Sequence, residues 1–561
     1  MTVVNDLSAT KFGNGASKPA AQTAVLDKAH LGDIHGAFGS IAEDDLGPRT
    51  TLGARLKTLV AIVGPGLIVM VGDNDAGAFS TYTQAGQDYG TTLLWTLMLL
   101  IPVLYVNQEM VVRLGAVTGV GHARLIFERF GKFWGAFSVI DLLLLNALTI
   151  VTEFIGISLA LSYLGVSQFW GVLFSAAIVM VAVSTGNFRR FERFGIVLVG
   201  GSLLLVPIIL MVHPPIGQIA ADFLVPKMPK DGKLNDVMLL IVAIVGTTVA
   251  PWQLFFQQSY IVDKRITPRF IRYERWDLCL GIVLVIVGAV AMIGFCAQAF
   301  AGRPEFGHYT DALGTAVGLE KYAGRLPAVL FAVALLDACI IGAAAVSLST
   351  AYAIGDVFAL KHSLHRKPWD AKGFYGIYFG LILLAAVLVL TPGTPLGLLT
   401  NAVQTLAGVL LPSATVFLLL LSNDKAVLGP WANSPRLNLF TGAVVAALVM
   451  LSIILTASVL FPDISEQRII DILIGGSLLA IAVTAAVKLY EASARRNAIF
   501  RFEPRLDEFD RNSWRMPPLE TLPRARLSAL SRIWMVVLRG YLVVAAGLVL
   551  LRIFQLATAA A

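Results

Sequence analysis

The apolar residues of this chain come in long uninterrupted blocks, and those blocks decide the solvent in which it can fold. Many run for about 18–25 residues, enough to cross ~30 Å of hydrocarbon as a helix. Of 561 residues, 57% are hydrophobic and only 14% charged. That is too little charge to cover a water-soluble fold of this length. Apolar spans fall near 59–87, 91–111, 136–163, 169–186, 195–213, 237–262, 277–300, 326–358, 373–391, 396–422, 438–461 and 469–490. A weaker one, 533–556, carries Arg539 and Arg552 near its ends. It reads equally well as a crossing helix or as one lying along an interface.

The net charge of +7 sits in the connectors, so it is no sign of nucleic-acid binding. With the N-terminus inside, Arg113, Arg124, Arg129 and Lys132 fall on the cytoplasmic side. So do Arg189, Arg190 and Arg193, the group from Lys264 to Arg275, and Lys361, Arg366, Lys367 and Lys372. Connectors on the other side are poorer in basic residues, although Lys227, Lys230 and Lys233 run against the rule. The expected organisation is a cytoplasmic tail at 1–57 without fixed structure, then a ten-helix core at 58–425. The core divides into repeats at about 58–213 and 237–425. Two further helices at 436–492, a basic cytoplasmic segment at 493–532 and the ambiguous 533–561 complete the chain. It is expected in the plasma (inner) membrane. Cys279, Cys296 and Cys339 lie inside apolar blocks without paired spacing and read as small core residues.

The first span contains Gly72-Asp73-Asn74-Asp75-Ala76-Gly77-Ala78. Unpaired carboxylates at that depth cost several kcal/mol. Glycines on either side ease unwinding, and unwound backbone is tolerated there only where it lines a cavity or is buried in protein. Freed carbonyls beside a carboxylate make an all-oxygen nest suited to a hard cation. The alternative for either aspartate is a half-helix cap or a partner for a basic residue. The sixth span has a second breaker in Gly246-Thr247-Thr248-Val249-Ala250-Pro251-Trp252-Gln253, where Pro251 removes a helix hydrogen bond. Two interruptions five spans apart point to a mid-membrane site between inverted repeats.

These strings, with Gly64-Pro65-Gly66, Gln84-Ala85-Gly86-Gln87-Asp88-Tyr89-Gly90, Gln108-Glu109-Met110 and Arg113-Leu114-Gly115-Ala116-Val117-Thr118-Gly119, resemble the Nramp family of divalent-metal transporters. Gln404 and Pro412 match its tenth helix, and the likeness runs from about Gly64 to Gly429. The resemblance implies an all-α transmembrane fold, a LeuT-like inverted repeat of five plus five helices with discontinuous helices 1 and 6. Two or three extra C-terminal helices follow.

In that family the metal sits between Asp-Pro-Gly-Asn in helix 1 and Met-Pro-His in helix 6. The first motif falls on Asp75-Ala76-Gly77-Ala78 and the second on Ala250-Pro251-Trp252. The aspartate is kept, while the asparagine, methionine and histidine have become Ala78, Ala250 and Trp252. A second histidine of helix 6 aligns with Gln257, and Asp-Leu-Ala-Glu of helix 3 with Ile150-Val151-Thr152-Glu153. The expected metal set is therefore Asp75 and Gln404, with Ala78, Thr247 and Ala250 contributing through backbone or water. Glu153, Trp252, Gln257 and Asp73 are candidates for coupling or gating, and Trp252 reads best as filling the volume the alanines leave.

Losing the thioether removes a preference for softer ions, and a roomy oxygen site suits an ion that keeps part of its water shell. The pattern is similar to the Nramp-related magnesium transporters, so Mg2+ is the expected substrate and Mn2+ the second. With the histidines gone, weak or absent proton coupling is expected. The alternatives are a proton-coupled Mn2+/Fe2+ importer or, in another class, an amino-acid carrier or transporter-like sensor. Asp75 would crowd an amino-acid carboxylate. No nucleophile–base pair, phosphate loop or zinc motif speaks for an enzyme or a cofactor, and no obligate protein partner is evident beyond the bilayer. Glu109 and Arg113, four apart, are expected to pair. Asp337 is an intramembrane carboxylate without a matched role. His122, His362 and His365 are expected in loops.

Overall fold

In the computed structural model, residues 28–229, 232–391, 396–461, 464–496 and 508–523 are described, with single positions beyond. The segment 533–561 therefore lies almost wholly outside the described residues. The first span is three helices in sequence, α1 (Leu52–Ile62), α2 (Pro65–Val71) and α3 (Ala76–Tyr89). There follow α4 (Trp95–Thr118), α5 (His122–Phe130), α6 (Lys132–Tyr163), α7 (Gln168–Val183), α8 (Phe188–Ser202), α9 (Leu205–Val212) and α10 (Ile216–Leu224). The second repeat holds α11 (Leu234–Thr248), α12 (Pro251–Asp263), α13 (Ile271–Phe300), α14 (Ala312–Ala323), α15 (Arg325–Val357), α16 (Lys372–Leu390) and α17 (Leu396–Ser422). After α18 (Lys425–Leu428) come α19 (Pro435–Leu460) and α20 (Glu466–Arg496). Among the described residues eight helices are long and apolar enough to cross a membrane, or ten if two bent pairs each count as one.

Local chemistry explains where the helices stop. Pro65 and Pro251 occupy first-turn positions, where a missing N–H costs nothing, so each starts a helix rather than extending one. Gly119, with φ of 63°, supplies the left-handed residue that ends α4. The chain bends by 50° between α1 and α2, at Gly64-Pro65.

Packing relies on small residues that let backbones approach, as expected where lipid offers no hydrophobic contrast. A methyl on Gly86 of α3 would lie 2.4 Å from the Ile293 carbonyl of α13. The two longest helices, α6 and α15, lie side by side, and Asn146 Nδ2 donates to Thr350 Oγ1 between them at 2.8 Å. The expected Glu109–Arg113 pair forms at 2.8 Å, and Arg275 joins it at 2.5 Å from the other Glu109 oxygen.

Three expectations need correction. The N-terminal tail is not without structure throughout, because residues 28–51 form a short antiparallel hairpin, β1 (Ile34–His35) with β2 (Ser40–Ile41), packed on α1. Lys264, read as a loop cation, is fully buried and paired with Glu192 at 2.6 Å. His122 heads α5 rather than sitting in a loop, and its buried ring bonds Gln258 Oε1 at 2.8 Å.

The close approach of α2 to α13 gives a direct test. A methyl on Gly66 would sit 2.8 Å from the Leu278 nitrogen and 2.9 Å from its Cα. Gly66→Ala is expected to cost about 2 kcal/mol by overpacking, seen as a lower thermal unfolding midpoint in detergent. Gly53→Ala, on a helix face with open space, should leave the midpoint unchanged or slightly raised.

Candidate metal centre

The first break spans Gly72 to Asp75. The Asp73 and Asn74 amides turn back to Met70 and Val71 at 3.3 and 3.1 Å, a tightened last turn of α2. Asp75 then caps α3, its Oδ1 accepting from the Ala78 amide at 2.9 Å. The alternative reading of Asp75 as a half-helix cap thus describes one of its contacts. In the second break, Val249 and Ala250 leave helical geometry and Pro251 restarts it. Because Pro251 has no N–H, the Thr247 carbonyl loses its helical partner. Among the described residues no hydrogen bond closes on the carbonyls of Asp73, Asn74 or Thr247.

The two breaks face one another. Tyr82 of α3 and Thr248 of α11 join hydroxyls at 2.7 Å, and a methyl on Gly72 would lie 3.7 Å from the Trp252 ring. The half-helices cross accordingly, α2 packing on α12 and α3 on α11. Trp252 is anchored through its carbonyl, which accepts from Ser349 Oγ at 2.9 Å, while its indole nitrogen has no protein partner.

Glu153 enters from α6. Its Oε2 accepts from the Ala76 amide at 3.2 Å, one residue from Asp75, and among the described residues its Oε1 has no hydrogen-bond partner. Room for it comes from Gly342 of α15, where a methyl would stand 2.8–2.9 Å from the carboxyl atoms. Cys339, one turn earlier, packs beside it.

Thus the structure brings Asp75, Ala78, Thr247, Ala250, Trp252 and Glu153 to the meeting of the two breaks. Ala78 is fully buried, its amide consumed by the cap and its carbonyl in the helical ladder, which leaves its neighbours Asp73 and Asn74 as the residues with free carbonyls. Asp73 is buried with both carboxyl oxygens unpartnered. Gln257 lies two turns along α12, fully buried, with both amide atoms unpartnered, as is Gln253 Nε2. Gln404 belongs to α17, but its side chain lies outside the described residues. Among the described residues there is no group of three or more His, Cys, Asp or Glu side chains able to hold a metal. What the centre offers is two carboxyl groups and a set of carbonyl oxygens, with polar side chains that want further partners.

Sequence reasoning missed Tyr82 and Gly342, read Cys339 only as a small core residue, and gave no separate role to Asn74, whose Nδ2 donates to the Val285 carbonyl at 3.3 Å. A glycine inside the otherwise alanine-rich run 342–345 was the available signal for Gly342.

Interrupted helices that cross at mid-depth around a carboxylate define a membrane transporter of the broken-helix, inverted-repeat class. Residues 66–458 match the family described as natural resistance-associated macrophage protein-like, Nramp, and the chain belongs to that family. A divalent metal cation transporter of Pseudomonas aeruginosa is 30% identical over 406 residues, covering 68% of this chain and 87% of the relative. One from Burkholderia ambifaria is 28% identical over 462 residues, covering 79% and 97%. In structure, the chain is similar to a manganese transporter of Eremococcus coleocola, with a TM-score of 0.62 and 22% identity over 81% of this chain and 98% of that one. The protein is therefore an integral membrane transporter of the divalent-metal family, not an enzyme, and metal is its substrate rather than a cofactor.

Gly342→Ala is expected to displace the Glu153 carboxyl and lower initial metal uptake in proteoliposomes by about tenfold, the equivalent of ~1.4 kcal/mol. Gly376→Ala, which meets open space, should match the parent.

Proposed function

We propose that the protein carries Mg2+, and Mn2+ as a second substrate, into the cytoplasm of its cell by alternating access, with its N-terminal face inside. The observation that carries this reading is the chemistry of the second break, where Ala250 and Trp252 supply neither a thioether nor an imidazole. Asp75 and carbonyls such as that of Thr247 are then the ligands, and Gln404 of α17 is a further proposed ligand. A hard ion that keeps several waters needs few direct ligands, and water bridging to Asp73 and Gln257 would use their open hydrogen-bonding capacity. In this reading Trp252 closes one side of the chamber.

The driving force is the ion gradient and the membrane potential. Two charges crossing 100 mV gain ~4.6 kcal/mol, scaled from ~2.3 per charge. A second reading, a proton-coupled Mn2+ importer, is favoured by one contact, the adjacent carboxyl groups of Asp75 and Glu153. An arriving cation would compete with a proton for the oxygens of that pair.

Three experiments test these readings. Calorimetry should show Mg2+ and Mn2+ binding in the parent chain and none in Asp75→Ala; retained binding in that variant would place the ion elsewhere. In proteoliposomes with a pH dye inside, Mg2+ uptake should proceed without acidification, and acidification in step with uptake would select the coupled importer. Ala250→Met should shift the preference from Mg2+ toward Mn2+ and Cd2+ in competition assays, because it restores a soft ligand.

A further inference from the structure

The centre is closed off from the N-terminal face along α12. At the breaks, Asp75 and Thr247 are 5% exposed and Ala250 is 8% exposed. Along α12 toward the N-terminal face, Gln253, Phe256, Gln257 and Tyr260 are all at 0%. The seal is an aromatic column, Trp252, Phe256 and Tyr260, with ring centroids 6.4 and 5.2 Å apart. Phe188 and Phe191 of α8 pack against Tyr260 at 5.2 and 5.9 Å.

Residues 28–50 lie across the outside of that seal. The hairpin turn is closed by the Gly36 amide on the Gly39 carbonyl at 2.9 Å, and a methyl on Gly36 would overlap the Ala61 carbonyl of α1. Ala37 at the turn is fully buried. Its amide donates to Glu192 Oε2 at 2.5 Å, and its carbonyl accepts from Arg193 Nε at 2.9 Å, both from α8. The other Glu192 oxygen takes Lys264 Nζ at 2.6 Å, and the same ammonium donates to the carbonyls of Ile62 and Val63 at 2.5 and 3.1 Å. Glu192 is thus a node joining the hairpin, span 5, the end of span 6 and the α1–α2 corner. On either side the strap is pinned by guanidinium groups, Arg265 on the Ala29 and Asp33 carbonyls and Arg269 on those of Asp45, Leu46 and Gly47.

α8 covers the aromatic column through Phe188 and Phe191, and α2 packs on α12 beside it, so opening toward that face would part α1–α2 and α8 from α12. The strap bonds to α8 through Ala37, to α1 through Arg49, and to the loop after α12 through the carbonyls that Arg265 and Arg269 hold. From this we infer that residues 28–50 are part of the cytoplasmic gate, with Glu192 and Lys264 as its positioning residues. The strap holds the first half-helix against span 5, and it lifts from Glu192 when the centre opens inward. The inference rests on the alternating-access reading and its inside N-terminus, but not on which ion is carried.

The test follows access rather than transport. Ser259→Cys places a thiol on sealed α12, where the native residue is 6% exposed, and the chain without it sets the background from the three native cysteines. In nanodiscs, a soluble maleimide should label this thiol slowly in the full chain. Removing residues 1–50, or combining Arg193→Ala with Arg269→Ala in the intact chain, should speed labelling by about tenfold or more, since several hydrogen bonds are lost. Arg193→Lys with Arg269→Lys should restore much of the protection. If the truncated chain and the double alanine variant both still take up metal and both label at the parent rate, the strap is no gate. A full chain that labels slowly but fails to carry Mg2+ would instead count against the ion assignment alone.

Discussion

A helix inside a bilayer cannot leave its amides and carbonyls to water, and every part of this structure around the metal centre answers that constraint. Opening two helices at mid-depth strands polar groups that lipid cannot satisfy. At the first break, the Ala78 amide is taken by Asp75 and the Ala76 amide by Glu153. Those two donors are therefore spoken for, while the Asp73, Asn74 and Thr247 carbonyls accept no hydrogen bond among the described residues. An asymmetry of that kind, donors capped and acceptors bare, is a standing invitation to a cation and a poor one for an anion. Proline at position 251 reaches the same end differently, by deleting a donor rather than occupying it.

Much of this was legible in the chain. The apolar blocks, the two interruptions and the family strings on spans 1, 2 and 6 are local patterns, and local patterns survive reading without coordinates. Aspartate flanked by glycines inside an apolar span has few explanations, and the break at residues 72–75 is where that pattern put it. What could not be read depends on pairs far apart in sequence. Glu153 meets Ala76, and Gly342 makes the space for it, through packing of α6 and α15 that no spacing encodes. Lys264 looked like one more loop cation because its partner Glu192 lies 72 residues away. The polar stretch 28–51 carried the composition of a tail, and only the arginines waiting on the other loops give it a place.

The same arginines bear on how basic loops should be regarded in such proteins. By composition alone, Arg193, Arg265 and Arg269 read as loop charges facing anionic lipid. Their guanidinium groups are nonetheless spent on backbone carbonyls of the strap. A planar five-donor group binds carbonyls as readily as it does phosphate, so a basic loop can hold a neighbouring backbone segment as well as lipid.

The cap on α3 has a mechanical side. Asp75 Oδ1 fastens the first turn of that half-helix, yet it belongs to the carboxylate best placed to meet an arriving ion. A cation that draws this oxygen toward itself loosens the turn it had been holding, and the Ala78 amide must then find water or shift. Under the proposed assignment, loading the centre and slackening α3 would be one event seen from two ends, with the cargo itself supplying the tug on the wall of its chamber.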